Sequence, residues 1–278
     1  MPTNVEDLIA LFDIKQVAEL KFIGPQPETH FQRLFGGHVL AQSLWAAMQT
    51  IPPQRRVHSL HAYFLRPGSP DEPLRFQVED LRDGRTFSAR RVITRQRDRE
   101  IFQLNCSFQQ PEAGLDHSAR PPGDVRTPEE SPSLRQYMEE QFGEPTLALA
   151  EWDALDVRLA SDPRPSPEGG IMRAWVKTQE PLPDEERLHA AVAAYLSDIT
   201  LLSVSTVQHE LAFTASKIQA ASIDHAMWFH RPFRSDQWLL YDMVSPSAAD
   251  ARGFCTGNLF QDGKLVASCA QEGLIRVV

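Results

Sequence analysis

The stretch "SIDHAMWFHRPF" at residues 222–233 matches an earlier one, "VHSLHAYFLRP" at residues 57–67. Each runs through apolar residues to an aromatic pair, one spacer residue and Arg-Pro, and the two are offset by 165 residues. A strand-like segment that occurs twice indicates an internal duplication, and a duplication decides the fold of the whole chain. Only the second copy begins with a hydroxyl, Ser222, where the first has Val57.

The neighbourhoods of the two segments repeat as well. In the first half, apolar spacing and turn residues predict a helix over 36–49 and strands over 57–66, 73–81, 86–96 and 100–110. In the second half they predict a helix over 184–202 with Asp184 as N-cap, and strands over 222–231, 237–246, 250–261 and 264–275. One helix followed by four strands, present twice, predicts two tandem α+β units.

The second predicted helix is apolar on nearly every side. Ala190, Ala191, Ala193 and Ala194 surround a stripe of larger apolar residues. A helix of this kind is buried rather than placed on a surface, and its small side chains let a sheet approach closely. A long helix wrapped by a curved antiparallel sheet is the hotdog arrangement, so the duplication predicts a double hotdog. Any other two-layer α+β duplication is the alternative.

Composition narrows the class of protein. A length of 278 residues suits about two domains. The net charge of −9 argues against a general nucleic-acid binder, and no apolar run of about 18 residues predicts a membrane span. The three cysteines lack CxxC spacing, which favours reduced thiols in the cytoplasm and gives no support for a metal site.

The segment between the two units has a different composition. Residues 111–167 hold nine of the 21 prolines. Proline cannot donate a ladder hydrogen bond, so this region predicts a linker rather than sheet. A short helix near 133–142 interrupts it, and extended segments at 154–160 and 171–178 lead into the second helix.

Asp198 is the most unusual residue of the second helix. It lies near the C-terminal end, where the helix dipole disfavours a carboxylate, and Leu196, Ile199 and Leu201 surround it. Burial among them would raise its pKa, and perturbed carboxyl groups often mark functional sites. The alternative is an exposed or capping residue at the helix end.

Two further polar residues distinguish the second unit from the first. Ser222 replaces Val57, and Gln271 stands where the first unit has Ser107. Each could simply satisfy a neighbouring backbone group. A carboxylate, a hydroxyl and an amide confined to one of two copies instead favour a polar site in the second unit.

Two other motifs have weaker readings. "GFCTG" at 253–257 has the spelling of a nucleophile elbow, but a strand rather than a helix follows it, so Cys255 is interpreted as a small strand residue. "RTFSARRVITRQRDR" at 85–99 contains six arginines. These form either a solvated sheet edge or a cradle for ligand phosphates, with Arg90 and Arg91 as candidate substrate-binding residues.

Eight blocks in order along the chain resemble the acyl-CoA thioesterase II family. They are "FGGHVLAQSLWAA", "VHSLHAYFLRPG", "LRDGRTFSARRV", "FQQPEAG", "YLSDITLL", "SIDHAMWFHRPF", "ARGFCTGNLFQDGKLVAS" and "AQEGLIR". The resemblance implies a double hotdog, with an N-terminal unit at 1–112, a linker at 113–153 and a catalytic unit at 154–278. It also implies a homodimer or homotetramer that needs no cofactor.

The resemblance further implies hydrolysis of fatty acyl-CoA to free acid and CoA. The family's catalytic Asp, Thr and Gln fall on Asp198, Ser222 and Gln271, with serine in place of the usual threonine. As a hypothesis, Asp198 accepts a proton from a water that Ser222 and Gln271 hold. Backbone N–H groups near Gly36 and Gly37 are candidates for stabilising the charge on the thioester oxygen.

Two other functions are compatible with the same scaffold. The first is a non-catalytic acyl-CoA binding or sensing protein, which would release no free thiol. The second is a hotdog hydratase, for which "YLSDITLLSVSTVQHE" offers Asp198 without the expected histidine partner.

Overall fold

The structure, a computed structural model, describes residues 2–142, 152–209, 211 and 218–277. The helices of these residues are α1 (Val5–Ala10), α2 (Gly36–Met48), α3 (Leu134–Phe142), α4 (Glu186–Ser197) and α5 (Val204–Val207). The strands are β1 (Lys15–Ala18), β2 (Lys21–Ile23), β3 (Arg56–Phe64), β4 (Arg75–Asp83), β5 (Phe87–Gln96), β6 (Arg99–Gln109), β7 (Leu155–Arg164), β8 (Gly170–Thr178), β9 (Ile218–Ser222), β10 (Asp224–Phe229), β11 (Leu239–Ala249), β12 (Arg252–Gln261) and β13 (Lys264–Val277).

Within the described residues, the thirteen strands form one antiparallel sheet. The first unit contributes the order β1-β2-β4-β5-β6-β3, and the second contributes β10-β13-β12-β11-β8-β7. The two halves join where β3 pairs with β10, and β9 pairs separately with the end of β13. The second order is the reverse of the first, as a two-fold relation between two copies requires.

The two copies of the duplicated segment are the strands that join the units. His61 on β3 lies opposite Ala226 on β10, and these two residues stand 165 positions apart, at the offset of the repeat. The approximate two-fold axis therefore passes between them. Pairing of the repeated strands with each other turns two open sheets into one and leaves neither central edge exposed.

The two long helices lie side by side and antiparallel within the curved sheet. All of α4 from Leu188 to Ser197 and most of α2 are buried. The approach is close, because a Cβ placed on Gly37 would lie 2.6 Å from the carbonyl oxygen of Tyr195. These features confirm the predicted double hotdog, in which each unit wraps its sheet around one helix.

Several local predictions were less accurate. Each unit has two strands before its helix as well as four runs after it, and β1 and β2 were not predicted. The prediction of Asp184 as N-cap was wrong: Glu185 occupies that position, and the Asp184 carboxylate pairs with Arg234 at 2.7 Å. The helix predicted near 133–142 is α3, whereas the proposed division of the chain at 112 and 154 stays a prediction.

No helix among the described residues is long and apolar enough to cross a bilayer.

Candidate active site

Asp198 is the C-cap of α4 and is 8 % exposed. Three groups converge on its carboxylate. The amide Nε2 of Gln271 donates to Oδ1 at 2.5 Å, and the hydroxyl of Ser222 donates to the same oxygen at 3.4 Å. Gln271 Nε2 also donates to Ser222 Oγ at 2.9 Å, which closes the triangle. The structure thus brings together the three polar residues that distinguish the second unit.

The third group on the carboxylate comes from the other unit. The backbone N–H of Gly37, in the first turn of α2, donates to Asp198. This first turn carries the partial positive charge of its helix, so a carboxylate that lies at the unfavourable end of α4 also lies at the favourable end of α2. The sequence showed only the unfavourable end, because the antiparallel partner helix is about 150 residues away in the chain.

Gly36 allows this arrangement. A Cβ at Gly36 would lie 2.5 Å from Oδ2 of Asp198, well inside van der Waals contact. Gly37 donates its N–H to Asp198, and its lack of a side chain also allows the two helices to approach. A side chain there would collide with the Tyr195 carbonyl of α4. The pair of glycines therefore lets the end of one helix approach the carboxylate on the other.

Burial raises the pKa of Asp198 from 3.8 to about 6, and the hydrogen bonds from Gln271, Gly37 and Ser222 limit the rise. Removal from water disfavours the charged form, while donors to the carboxylate favour it. The carboxyl group is therefore a stronger base than an ordinary aspartate and is still largely ionised at neutral pH. The raised pKa agrees with the expectation from its apolar neighbours.

Ser222 reaches Asp198 because the duplicated strand is interrupted. The sequence predicted one strand from 222 to 231, but β9 ends at Ser222 and β10 begins at Asp224. At the break, the side chain of Asp224 accepts the N–H of Glu272 at 2.7 Å in place of a ladder bond. An irregularity of this kind redirects a side chain, here towards the end of α4.

Two residues behind Asp198 hold the end of α4, and sequence reasoning missed both. Tyr241 donates its hydroxyl to the carbonyl of Ser197 at 2.8 Å, and His225 lies 2.9 Å from the Ser197 hydroxyl. Both are fully buried, and burial lowers the pKa of His225 to about 4, so its ring is neutral. A histidine on the inward face of the duplicated strand was the available signal.

A cavity of about 490 Å³ opens beside Asp198 and Ser222. It lies between the N-terminal end of α2, the segment after β3 and the C-terminal end of α4, and Gly36 is part of its wall. Its lining is mainly apolar and aromatic, and includes Phe31, Leu34, Phe35, Phe64, Ile101, Phe102, Trp152, Ile199 and Leu202. A cavity of this size with a few polar groups at one end is typical of a site for a small amphipathic ligand.

The two arginines predicted to bind substrate lie elsewhere. Arg90 is 2 % exposed, pairs with Asp80 at 2.7 Å and with Asp83 at 2.9 Å, and donates to Thr50 near the C-terminal end of α2. Arg91 points to the other face of the sheet and pairs with Glu79 at 3.3 Å. Neither lines the cavity. Their proposed role gains no support from the geometry, because Arg90 is already saturated by protein groups.

Cys255 lies on β12 and packs against the start of the short helix α5, and burial raises its pKa to about 11. A thiol that stays protonated at neutral pH is a poor nucleophile. The interpretation of Cys255 as a strand residue agrees with this environment.

Comparison with known proteins adds an independent line of observation. A family model described as acyl-CoA thioesterase matches residues 151–274, and one described as acyl-CoA thioesterase N-terminal domain matches residues 25–109. Acyl-CoA thioesterase 2 of Haemophilus influenzae is 35% identical over 284 aligned residues, which cover 99% of each chain. Acyl-coenzyme A thioesterase 8 of Homo sapiens is 37% identical over 262 aligned residues, which cover 88% of this chain and 81% of that one.

Two solved structures are similar to this chain over nearly its whole length. Acyl-CoA thioesterase II TesB2 from Mycobacterium marinum superimposes with a TM-score of 0.82 at 38% identity, covering 97% of this chain and 98% of that one. A hot dog fold protein of Alicyclobacillus acidocaldarius superimposes with a TM-score of 0.78 at 18% identity, covering 97% of each chain, and supports the fold alone.

Proposed function

The chain belongs to the acyl-CoA thioesterase II family and hydrolyses acyl-CoA thioesters, and from this premise we propose that it releases free fatty acids by direct attack of a water molecule that Asp198 activates. The observation that carries the proposal is the convergence of Ser222 and Gln271 on one carboxylate oxygen at the end of an apolar cavity.

In the proposed reaction, ionised Asp198 takes a proton from a water molecule as that water attacks the thioester carbonyl carbon. The carbon–sulfur bond then breaks, and the CoA thiolate takes up the proton from Asp198. A thioester is an activated acyl donor, so this route requires no covalent enzyme intermediate. A carboxyl pKa of about 6 supports the role, because a base is most effective when its pKa lies near the working pH.

Ser222 and Gln271 are proposed to position the water and the carboxylate. Gln271 donates to both other members of the triangle, and among the described residues its Oε1 has no hydrogen-bond partner. An amide fixed by two bonds thus retains one acceptor for a water or substrate proton. Serine in place of the family's threonine keeps the hydroxyl, and the Gln271 bond supplies part of the rotamer restriction that the missing methyl would give.

The acyl chain is proposed to lie in the cavity, since its aromatic and aliphatic walls favour a hydrocarbon. The thioester oxygen is proposed to face the first turn of α2. Gly36 lines the cavity there, and the positive end of the helix would stabilise developing negative charge. Gly37, proposed from the sequence for the same role, already donates to Asp198, so its main contribution is to hold the base.

The direct-attack route is tested by hydrolysis in oxygen-18-labelled water over many turnovers, followed by mass spectrometry of the acid and of the peptide that contains Asp198. We expect the label in the released acid and none in the peptide. Label in Asp198 would show a covalent acyl-enzyme and contradict direct attack. Absence of any CoA thiol release from a series of fatty acyl-CoA chain lengths would instead favour the non-catalytic binding protein.

Self-association into a homodimer or homotetramer is also proposed. Tyr63 is 58 % and Trp228 is 37 % exposed, and both point outward from the central strands β3 and β10. Exposed aromatic side chains on a sheet face are typical of protein contacts. Sedimentation of the wild type and of a Tyr63→Ser/Trp228→Ser variant measures this, and a monomeric wild type would contradict it.

The three buried free cysteines support the proposed cytoplasmic, reducing location.

A further inference from the structure

The Arg-Pro sequence that ends the duplicated strand places an arginine at equivalent points of the two units. Arg66 follows β3 and Arg231 follows β10. The backbone N–H of Arg66 donates to Ile101, and that of Arg231 donates to Val266 at the same offset of 165 residues. The two arginines therefore begin from the same backbone geometry.

The guanidinium groups match in one of their two terminal nitrogens. Nη1 of Arg66 donates to the carbonyl of Glu100 at 2.6 Å, and Nη1 of Arg231 donates to the carbonyl of Leu265 at 2.8 Å. Glu100 and Leu265 are again 165 residues apart. Each fork is thus anchored in the same way, which leaves Nη2 as the atom that can differ.

In the second unit, Nη2 is occupied by the linker. Arg231 Nη2 donates to the carboxylate of Asp116 and, at 2.7 Å, to the carbonyl of His117. The guanidinium lowers the pKa of Asp116, so the pair is ionised over the physiological range. In the first unit the described residues supply no such partner, and the side chain of Arg66 is exposed.

Arg66 also differs from Arg231 in what it faces. It lines the cavity that contains Asp198, and a second exposed arginine, Arg33, lines the same cavity. The contact of Arg231 with Asp116 shows that Nη2 in this geometry can donate to an anionic oxygen, and we expect Nη2 of Arg66 to bind the same kind of group. Arginine is well suited to phosphate because its fork can donate two parallel hydrogen bonds.

We propose that Arg66, assisted by Arg33, binds a phosphate group of the CoA nucleotide at the rim of the catalytic cavity. This inference rests on the proposed function in one respect: the acyl-CoA that is hydrolysed is the ligand. It assigns this role to two arginines on the cavity, in place of Arg90 and Arg91, which do not line it. On an acidic chain, these two side chains give the entrance a local charge that opposes the net charge of −9.

The test compares two non-hydrolysable ligands of the same alkyl length, an alkyl-CoA thioether and an alkyl-pantetheine thioether, which lacks the nucleotide. Binding is measured by calorimetry for the wild type, Arg66→Ala, Arg33→Ala and the control Arg91→Ala. We expect Arg66→Ala to weaken alkyl-CoA about tenfold and Arg33→Ala to weaken it less, with alkyl-pantetheine unchanged in both. Arg91→Ala should bind both ligands as the wild type does.

Equal loss for the two ligands in Arg66→Ala, or no loss for either, would overturn the proposal. Equal affinity of the wild type for the two ligands would also overturn it. The readout is independent of catalysis, because binding is measured without turnover. A protein that binds alkyl-CoA through Arg66 but releases no thiol from acyl-CoA would contradict the proposed function and leave this inference supported.

Discussion

The two ends of the antiparallel helix pair are equivalent by the approximate two-fold axis, yet they are built in opposite ways. At one end, Asp198 of α4 accepts an N–H from the first turn of α2. At the other, Arg187 of α4 donates to the carbonyls of Met48, Ile51 and Pro52 at 2.9, 2.9 and 2.6 Å, at the C-terminal end of α2. Each charge is suited to the dipole of the partner helix.

The two ends differ in how far the charged side chain is used by protein hydrogen bonds and in the size of the cavity beside it. Both terminal nitrogens of Arg187 are used on backbone carbonyls, and the cavity beside it measures about 260 Å³, compared with about 490 Å³ at Asp198. The C-cap of α2 is Gln49, where α4 has Asp198. One end of the duplicated scaffold thus stabilises a helix terminus, and the other presents a base to a cavity.

The largest effect is expected from removing the base. Asp198→Asn keeps the shape and the bond from Gln271 but cannot accept a proton, so we expect CoA release to fall about 10²–10⁴-fold. The matched change at the other helix end, Gln49→Ala, should leave the rate within about twofold. Both are measured by thiol release at saturating acyl-CoA, with circular dichroism to verify folding. Equal rates for the two variants would contradict a catalytic role that is confined to the Asp198 end of the helix pair.

The two ends should also affect stability in opposite directions. Arg187→Met removes three hydrogen bonds to helix-end carbonyls and should lower the free energy of unfolding by about 2–3 kcal/mol, with the rate per folded molecule unchanged. Asp198→Asn should instead raise it. The folded-state pKa is above the unfolded value, so ionisation of Asp198 destabilises the fold, and this cost develops between about pH 4 and pH 6.

Urea denaturation at pH 5 and pH 8 measures both effects. The gain from Asp198→Asn should be larger at pH 8 and amount to roughly 3 kcal/mol at most, since one pKa unit corresponds to about 1.4 kcal/mol. A destabilised Asp198→Asn at pH 8 would contradict a buried, costly carboxylate.

A smaller effect is expected from the glycine that admits the carboxylate. Gly36→Ala places a methyl against Oδ2 of Asp198, which must move, and we expect about a tenfold loss in kcat with little change in KM. Glu186→Ala, in the first turn of α4 at the other end, is the control and should retain full kcat. A wild-type kcat in Gly36→Ala would show that the carboxylate position is not critical.

The smallest effect concerns the hydroxyl. Ser222→Ala removes the donor to Asp198 and the acceptor for Gln271, and should lower kcat about fivefold. Ser222→Thr should stay within about threefold of the wild type, because the hydroxyl is kept. Steady-state kinetics of the two variants measure the contribution of the hydroxyl. Equal effects of Ser222→Ala and Ser222→Thr on kcat would show that the hydroxyl has no positioning role.

The sequence predicted the fold and the members of the polar triangle for identifiable reasons. The repeat made the double hotdog visible, and comparing the copies singled out Asp198, Ser222 and Gln271 because each is polar where its counterpart or surroundings are apolar. The role of these residues as a catalytic set stays a prediction. Their mutual distances were beyond the sequence, since they depend on the break after Ser222 and on the position of α4 relative to β13.

Two features that the sequence did not reveal are contacts between the units. The approach of α2 to Asp198 and the position of Arg187 depend on how the two units pair. The substrate-binding role predicted for Arg90 and Arg91 stays a prediction that the geometry does not support, because composition cannot tell an arginine paired within the protein from one on a cavity. Arg90 belongs to the first kind.

The pH dependence of kcat/KM for wild-type hydrolysis of acyl-CoA tests most directly whether Asp198 is the catalytic base. If ionised Asp198 is the base, the rate should rise with pH through an apparent pKa of about 6 and then reach a plateau. A profile that is flat from about pH 4 to pH 8, or a midpoint near the ordinary value of 3.8, would contradict the assignment of a buried Asp198 as the catalytic base.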